Sequence, residues 1–292
     1  MAAIAPEKVL KQLGQLWAGL ASPDHGTSTE SGVLRACSMT FIVAMEPGDD
    51  PQSVGQTIAE LMHAHPSRAI VLKPGPDGTG LDATVSAQCW MPFGKRQQVC
   101  CEQIEVMTPL SDAVSASRLI LGLLATDLPA VLWSRGASWL ESPGFADLLP
   151  LMTKVVVDTT VAGCSIAELA HLRSRVRHVA DLAWTRTTPV RQDIARFFED
   201  QSNRSRLDSV NSIIVPPAAI YLAAWLQRVL PGRKLSLDAP PSLVRLEGPG
   251  TAFEFSIPDR NPSDCALLLE ELTITGADPT FESLLPLART LA

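Results

Sequence analysis

The sequence predicts an α/β protein of two domains. An N-terminal mixed sheet, built on a β-α-β unit and flanked by helices, is expected over residues 1–162, and a smaller C-terminal α/β domain with a hairpin over 163–292. Three observations carry this. Val33 to Met45 and Ala69-Ile-Val-Leu-Lys73 are apolar runs that bracket a helical pattern of Val54, Ile58, Leu61 and Met62, as parallel strands joined by a right-handed crossover require. Further apolar runs, Pro129 to Trp133 and Lys154 to Asp158, alternate with amphipathic stretches. Near the C-terminus, Ser242 to Glu247 and Thr251 to Ile257 alternate apolar with polar residues about Gly248-Pro-Gly, a hairpin pattern. A chain of 292 residues also exceeds the size that one core usually serves.

Taken in order, Pro6 opens an amphipathic helix to Ala21 with Val9, Leu10, Leu13, Leu16, Trp17 and Leu20 on one side. Ser22 to Gly32 reads as an exposed linker, and Ser53 as the cap of the helix that runs to His63. Pro74-Gly-Pro-Asp-Gly-Thr-Gly lacks the dinucleotide and phosphate-loop spacings, so it reads as a hairpin-type connection to the antiparallel strands Leu81 to Trp90 and Gln97 to Met107. Ser111 or Asp112 begins a helix to Ala125, and Gly144 to Leu151 is a short helix. Polar Thr159 to Ser165 is the expected domain boundary, and Ser165 caps the next helix. A strand over Asp208 to Val215 then leads into a helix from Pro216 to Leu230 that is apolar nearly all round, as a helix buried on most sides would be. Cys265 to Leu272 fits a strand or a helix equally, and Asp278-Pro279 starts the last helix, with Pro286 inside it.

Composition narrows the class. With 46% hydrophobic and 19% charged residues the chain is globular, and a net charge of −7 argues against nucleic acid as a partner. Leu119 to Thr126 is the longest apolar run and is too short to cross a bilayer, and the N-terminus does not read as a secretory leader, so a cytoplasmic protein with no membrane partner is expected. The six cysteines form no Cys-x-x-Cys pair and no zinc-like grouping, so no metal is expected and buried free thiols are. No pattern for a nucleophile with its base, a carboxylate pair or a bound cofactor stands out. His63 and His65 fall on different helix faces, and His171 and His178 lie near helix ends.

The densest chemistry is Asp181-Leu-Ala-Trp184-Thr-Arg186-Thr-Thr-Pro189-Val-Arg191, with an acid, an indole, three threonines and two arginines. Pro189 suits the first position of a helix, with Thr188 as its cap and Val190, Ile194, Phe197 and Phe198 inward. Glu102, inside an apolar strand, needs either solvent or a cation, and Arg68 is the candidate partner. Trp133 stands at the C-terminal end of a strand, where ligands gather in open α/β sheets.

His65-Pro-Ser-Arg68-Ala-Ile-Val, Cys100-Cys-Glu102-Gln-Ile104, Leu128-Pro-Ala-Val-Leu-Trp133, the Asp181–Pro189 stretch and Pro217-Ala-Ala-Ile-Tyr221-Leu-Ala-Ala-Trp225-Leu together resemble the glucose-6-phosphate dehydrogenase assembly protein family (OpcA). The resemblance runs from Arg35 to Leu230, and the Asp-Leu-Ala-Trp-Thr-Arg motif is its most specific part. Where many relatives have a second tryptophan after the Thr-Pro, this chain has Val190. The resemblance implies a non-catalytic partner of glucose-6-phosphate dehydrogenase that promotes its active oligomer or its substrate affinity. Aromatic and arginine anchors are the usual contact residues, so contacts are expected through Trp133, Asp181, Trp184, Thr185, Arg186 and Arg191, with core packing the alternative for Trp133 and Trp184, and with Arg68, Glu102 and Pro189 structural. The alternative from another class is a sugar-phosphate sensor or enzyme using Arg186, Arg191 or Arg68, because guanidinium forks match phosphate oxygens.

Overall fold

The computed structural model describes residues 4–20, 33–92, 98–160, 164–259 and 262–292. The stretch read as a linker, 22–32, lies outside them. In chain order the elements are α1 (Pro6–Leu20), β1 (Val33–Arg35), β2 (Met39–Ala44), α2 (Pro51–Ala64), β3 (Ser67–Pro74), β4 (Asp82–Trp90), β5 (Gln98–Thr108), α3 (Ala113–Leu123), β6 (Ala130–Ser134), α4 (Ser138–Glu141) and β7 (Lys154–Val157). They continue with α5 (Ile166–Leu172), β8 (Val179–Asp181), α6 (Leu182–Thr185), α7 (Thr188–Phe197), α8 (Gln201–Arg206), β9 (Ser212–Ile214), α9 (Ile220–Val229), β10 (Lys234–Ser236), β11 (Leu243–Gly248), β12 (Thr251–Ser256), α10 (Asp264–Glu271) and α11 (Pro279–Leu291). This is the α/β architecture expected, with a large mixed sheet of eight strands and a second sheet of four.

In the large sheet β5 carries antiparallel β4 along one side. Its other side takes β1 beside Gln98–Cys100 and β3 beside Gln103–Thr108, both parallel. From β3 the parallel order continues β2, β6, β7, β8. The β2-α2-β3 unit and the β4–β5 pairing agree with the sequence. The 74–80 connection does not form a hairpin: β3 and β4 flank β5, so the loop passes over the end of β5, where Gly75 N–H donates to the Thr108 carbonyl at 2.8 Å. A Cβ on Gly75 would lie 3.2 Å from Met107, so a small residue suits this crossing. The sheet also runs past residue 162, because β8 pairs in parallel with β7.

One face of the large sheet holds Ile42, Ile70, Ile104, Leu132 and Val155 beneath α1, α3, α5 and α11, while the other holds Phe41, Val71, Trp133 and Val156 beneath α2 and α10. The second sheet packs Ile213, Leu246, Phe253 and Phe255 against Val190 and Ile194 of α7 and Leu222, Ala223 and Leu226 of α9. Helix α9 gives Tyr221 and Ala224 to the first core as well, which explains why it is apolar all round. Val190, at the place of the relatives' second tryptophan, is buried in the smaller core.

Several local expectations are corrected. Asp50, not Ser53, caps α2, its carboxylate accepting from the Gln52 and Ser53 amides. Thr188 caps nothing: α7 begins at Thr188, after Thr187. Residues 207–209 form a 3₁₀ turn, and the strand expected from Asp208 is only Ser212–Ile214. Residues 143–151 contain two 3₁₀ turns rather than one helix. The ambiguous 265–272 stretch is helical, as α10. Two of the six cysteines are not free thiols, since Cys89 and Cys100 face each other across β4 and β5 and form a disulfide.

Glu102 is 3% exposed and does pair with Arg68, whose Nε donates to Oε2 at 2.6 Å. Trp17 Nε1 donates to Oε1 at 2.7 Å, and Arg35 Nη2 lies 2.5 Å from the same oxygen. One carboxylate thereby holds α1, β1 and β3 to β5. Removing one member of a buried pair leaves an uncompensated charge. Glu102→Ala is therefore expected to destabilise the chain by about 3 kcal/mol, measured by urea unfolding, whereas Arg35→Ala, at a half-exposed guanidinium, should cost under about 1 kcal/mol.

Candidate functional site

The Asp181–Arg191 stretch starts at the C-terminal end of β8 and turns straight into two helices. Val157 and Asp181 are register partners, which brings Asp158-Thr159-Thr160 beside the motif. Asp181 is fully buried and accepts four hydrogen bonds: Thr159 N–H at 3.0 Å, Thr159 Oγ1 at 2.6 Å, Ala183 N–H at 2.9 Å and Tyr221 OH at 2.6 Å. No cation pairs with it among the described residues. Burial pushes its carboxyl above the ordinary value, and the donors from Thr159, Tyr221 and Ala183 offset only part of that shift. Burial and the adjacent Asp181 likewise drive the Tyr221 phenol upward.

Arg186 reaches back to Asp158 in a two-pronged pair, with Nη1 and Nη2 donating to Oδ1 and Oδ2 at 2.8 and 2.7 Å. Burial tends to raise the Asp158 carboxyl, yet Arg186 and Thr160 hold it below its ordinary value. Trp184 donates from Nε1 to Asp278 Oδ2 at 2.9 Å, and its ring lies against Tyr221 and Phe281. The Arg191 guanidinium stacks 3.5 Å from that ring and donates from Nε to Thr187 Oγ1 and from Nη2 to Thr188 Oγ1, at 2.9 and 2.8 Å. These hydroxyls serve Arg191, which is why Thr188 is not a helix cap. Burial lowers the Arg191 pKa to about 10, so it stays protonated at neutral pH. Thr185 Oγ1 donates to Glu271 at 2.8 Å, whose other oxygen takes the fully buried Lys154 at 2.9 Å. Lys154 also donates to the Ile274 carbonyl.

Four of the six residues expected at a partner contact are thus turned inward: Trp133, Asp181, Trp184 and Thr185 are at most 3% exposed. Trp133 stacks on Phe41 and lies on β6, two strands from β8, in the same core cluster as Leu182. Pro189 is exposed, and Arg186 and Arg191 are half-buried. Arg68 places its donors on Glu102 and the Leu123 carbonyl. The stretch therefore braces a junction: Asp181 and Arg186 reach the turn after β7, Asp181 also reaches α9, Thr185 reaches α10 and Trp184 reaches Asp278 at the start of α11, while Thr187, Thr188 and Arg191 bond one another. A cleft of about 170 Å³ remains, walled by Trp184, Thr188, Arg191, Glu270 and Asp278.

The strand order reverses between β2 and β6, the place where open α/β sheets make a crevice. Here Glu46 fills it, accepting from the Ser138 amide at 3.0 Å and from the Ser138 hydroxyl. Gly136 permits this approach, because a Cβ there would lie 2.5 Å from Glu46 Cγ. Arg135, beside it, bridges Asp49 and Asp264 at 2.9 and 2.6 Å and stacks over Trp133. Among the described residues no group of three or more His, Cys, Asp or Glu side chains is arranged to hold a metal, and no helix is long and apolar enough to cross a membrane. His63 lies against the Trp90 ring, and His178 faces Glu282 at 3.6 Å.

Sequence reasoning singled out the motif but not Asp158, Tyr221, Glu271, Asp278, Lys154 or Arg135. Tyr221 carries one signal, being the single tyrosine of the chain, in a helix whose other residues up to Leu226 are apolar.

Comparison with known proteins returns the family that the sequence resembles. Residues 58–174 match a family model described as the glucose-6-phosphate dehydrogenase subunit N-terminal domain. The chain is also 26% identical, in a match that covers 91% of its length, to a Synechocystis sp. protein named putative OxPP cycle protein OpcA. It spans 58% of that relative's length. The matched model covers β3 to α5 and stops short of the Asp181–Arg191 stretch.

The brace yields two expectations. Arg186→Ala strands the Asp158 carboxylate and should cost about 3 kcal/mol, with much of the loss recovered in the Arg186→Ala/Asp158→Ala double variant, as urea unfolding of the cycle would show. Because the Asp158 carboxyl lies below its ordinary 3.8 in the folded chain, its stabilisation is present above that pH and lost as pH falls through the lower folded value. Acid titration of Asp158→Asn should lack that component.

Proposed function

We propose that this chain is a non-catalytic, cytoplasmic assembly factor that binds glucose-6-phosphate dehydrogenase and shifts it toward its active oligomer or toward higher substrate affinity, in the oxidative pentose phosphate pathway. The observation that carries the reading is the match of residues 58–174 to the dehydrogenase subunit domain, together with the 26% identity to a protein named for the oxidative pentose phosphate cycle. The motif's chemistry supports it from another side. Asp181, Thr185, Trp184 and Arg186 hold elements of the same chain together. A rigid junction of that kind suits a surface that must keep one shape while its partner changes.

On this reading activation is differential affinity: the chain binds one state of the enzyme better, and the enzyme's equilibrium follows. A tenfold gain in substrate affinity needs only about 1.4 kcal/mol of coupling, within reach of a modest interface. Arg191, which walls the cleft, and exposed Pro189 are the contact residues, while buried Asp181, Trp184 and Thr185 hold the segment that carries them. Arg186 acts through Asp158 and is a positioning residue.

The test is a titration of the purified chain into the dehydrogenase of the same organism, following KM for glucose-6-phosphate and the mass of the complex in solution. A lowered KM or a changed mass is expected, and Arg191→Gln should reduce the effect by about tenfold with little loss of fold stability. Unchanged KM and mass at concentrations well above micromolar would remove the activator reading.

A further inference from the structure

The antiparallel edge of the large sheet plays no part in the function proposed above. Strand β4 has nine residues and pairs with β5 without a break from Asp82↔Met107 to Trp90↔Val99. Among the described residues nothing pairs with its outer side. An open edge is a template for another strand, and proteins guard such edges with short strands, prolines, lysines or bulges. Among the described residues the other edges are guarded: β1, β8 and β10 have three residues each, β10 with Lys234, and β12 has six with Glu254 outward. Strand β4, Asp82-Ala-Thr-Val-Ser-Ala-Gln-Cys-Trp90, has none of these devices.

The outward main-chain groups follow from the cross-strand cysteines. Cys89 and Cys100 are directly opposite, with Cα atoms 4.1 Å apart. Opposite residues that exchange hydrogen bonds are about 5.5 Å apart, and those that do not are about 4.5 Å apart. The N–H and C=O of Cys89 therefore point away from β5. By the two-residue period of a strand, so do those of Ala83, Val85 and Ala87. These four positions are symmetric about Ser86.

We propose that β4 is a self-association edge, which pairs antiparallel with β4 of a second copy about a two-fold axis at Ser86 and joins the two large sheets into one. In that register Val85 lies opposite Ala87 of the second copy and Ala83 opposite Cys89, each exchanging main-chain hydrogen bonds. On the other face Thr84 lies opposite Gln88, and Asp82 opposite Trp90, so no like charges meet. Thr84 and Ser86 are exposed, and the two Ser86 hydroxyls meet on the axis. The Cys89–Cys100 bridge fixes the edge strand to β5 before any partner arrives. A second copy fits better than a dissimilar strand because the edge is its own complement, as a two-fold interface requires.

Sedimentation equilibrium of the full chain tests this, with the mass expected to rise with concentration from 31.3 kDa toward twice that value. Ala87→Pro removes an outward N–H while sparing the ladder to β5, and the loss occurs twice per interface. It should weaken the dimer by about tenfold or more. Ser86→Lys puts two ammonium groups opposite each other on the axis and should act in the same direction, so it decides the matter if the proline variant does not fold by far-ultraviolet circular dichroism. A single-chain mass at every concentration overturns the proposal, and so does a dimer that both variants leave unchanged.

Discussion

The architecture depends on a carboxylate that no cation among the described residues pairs with. Asp181 is buried where β8 ends, and its four donors come from the turn after β7, from the start of α6 and from α9. An isolated charge in such a place costs far more than a surface charge, so every lone pair must be answered by a donor with good geometry. That demand fixes the turn after β7 and the phenol of Tyr221 in place together. Because α9 also supplies Leu222, Ala223 and Leu226 to the smaller core, the same carboxylate sets where the second sheet stands relative to the first. Arg186 and Trp184 then tie the neighbouring acids Asp158 and Asp278 to the same short segment.

Glu102 does the corresponding work at the other side of the large sheet, but by a different route. It is answered by guanidinium groups and an indole, so its charge is balanced as well as hydrogen-bonded. The consequence is a division of roles. The Glu102 node joins strands and a helix of one layer to each other, and the Asp181 node joins one core to another.

What the sequence made legible follows from how local each cause is. Buried parallel strands read as apolar runs, so β2, β3, β6 and β7 were visible, and a carboxylate in the apolar strand β5 announced its need for Arg68. The hairpin of β11 and β12 was legible because Pro249-Gly250 makes a tight turn, with Gly250 at φ 64°. Strands of three residues, such as β8 and β10, are too short to show a period. The Cys89–Cys100 bridge depends on the register of β4 against β5, which no residue in either strand declares alone. Arg186 finds Asp158 only because β7 and β8 are neighbours, and they are separated by the whole of α5. Thr188 was misjudged for a related reason: its hydroxyl had a competing donor, Arg191, one turn further on.

The clasp on α10 bears on how the chain is made. This helix supplies Leu267 and Leu268 to the core beneath the large sheet, and it is held at its first residue by Arg135, through Asp264, and at its last by Lys154, through Glu271. Those pairs span 129 and 117 residues. During synthesis, all seven parallel strands, β1 to β3 and β5 to β8, emerge well before the helix that completes, with α2, the cover of their second face. Contacts so distant in sequence slow folding and leave an apolar surface uncovered in the interval. A nascent chain therefore carries Trp133, Val156 and a lysine bound for burial in an unfinished layer until residue 271 has left the ribosome, and that interval is where aggregation or a chaperone would intervene.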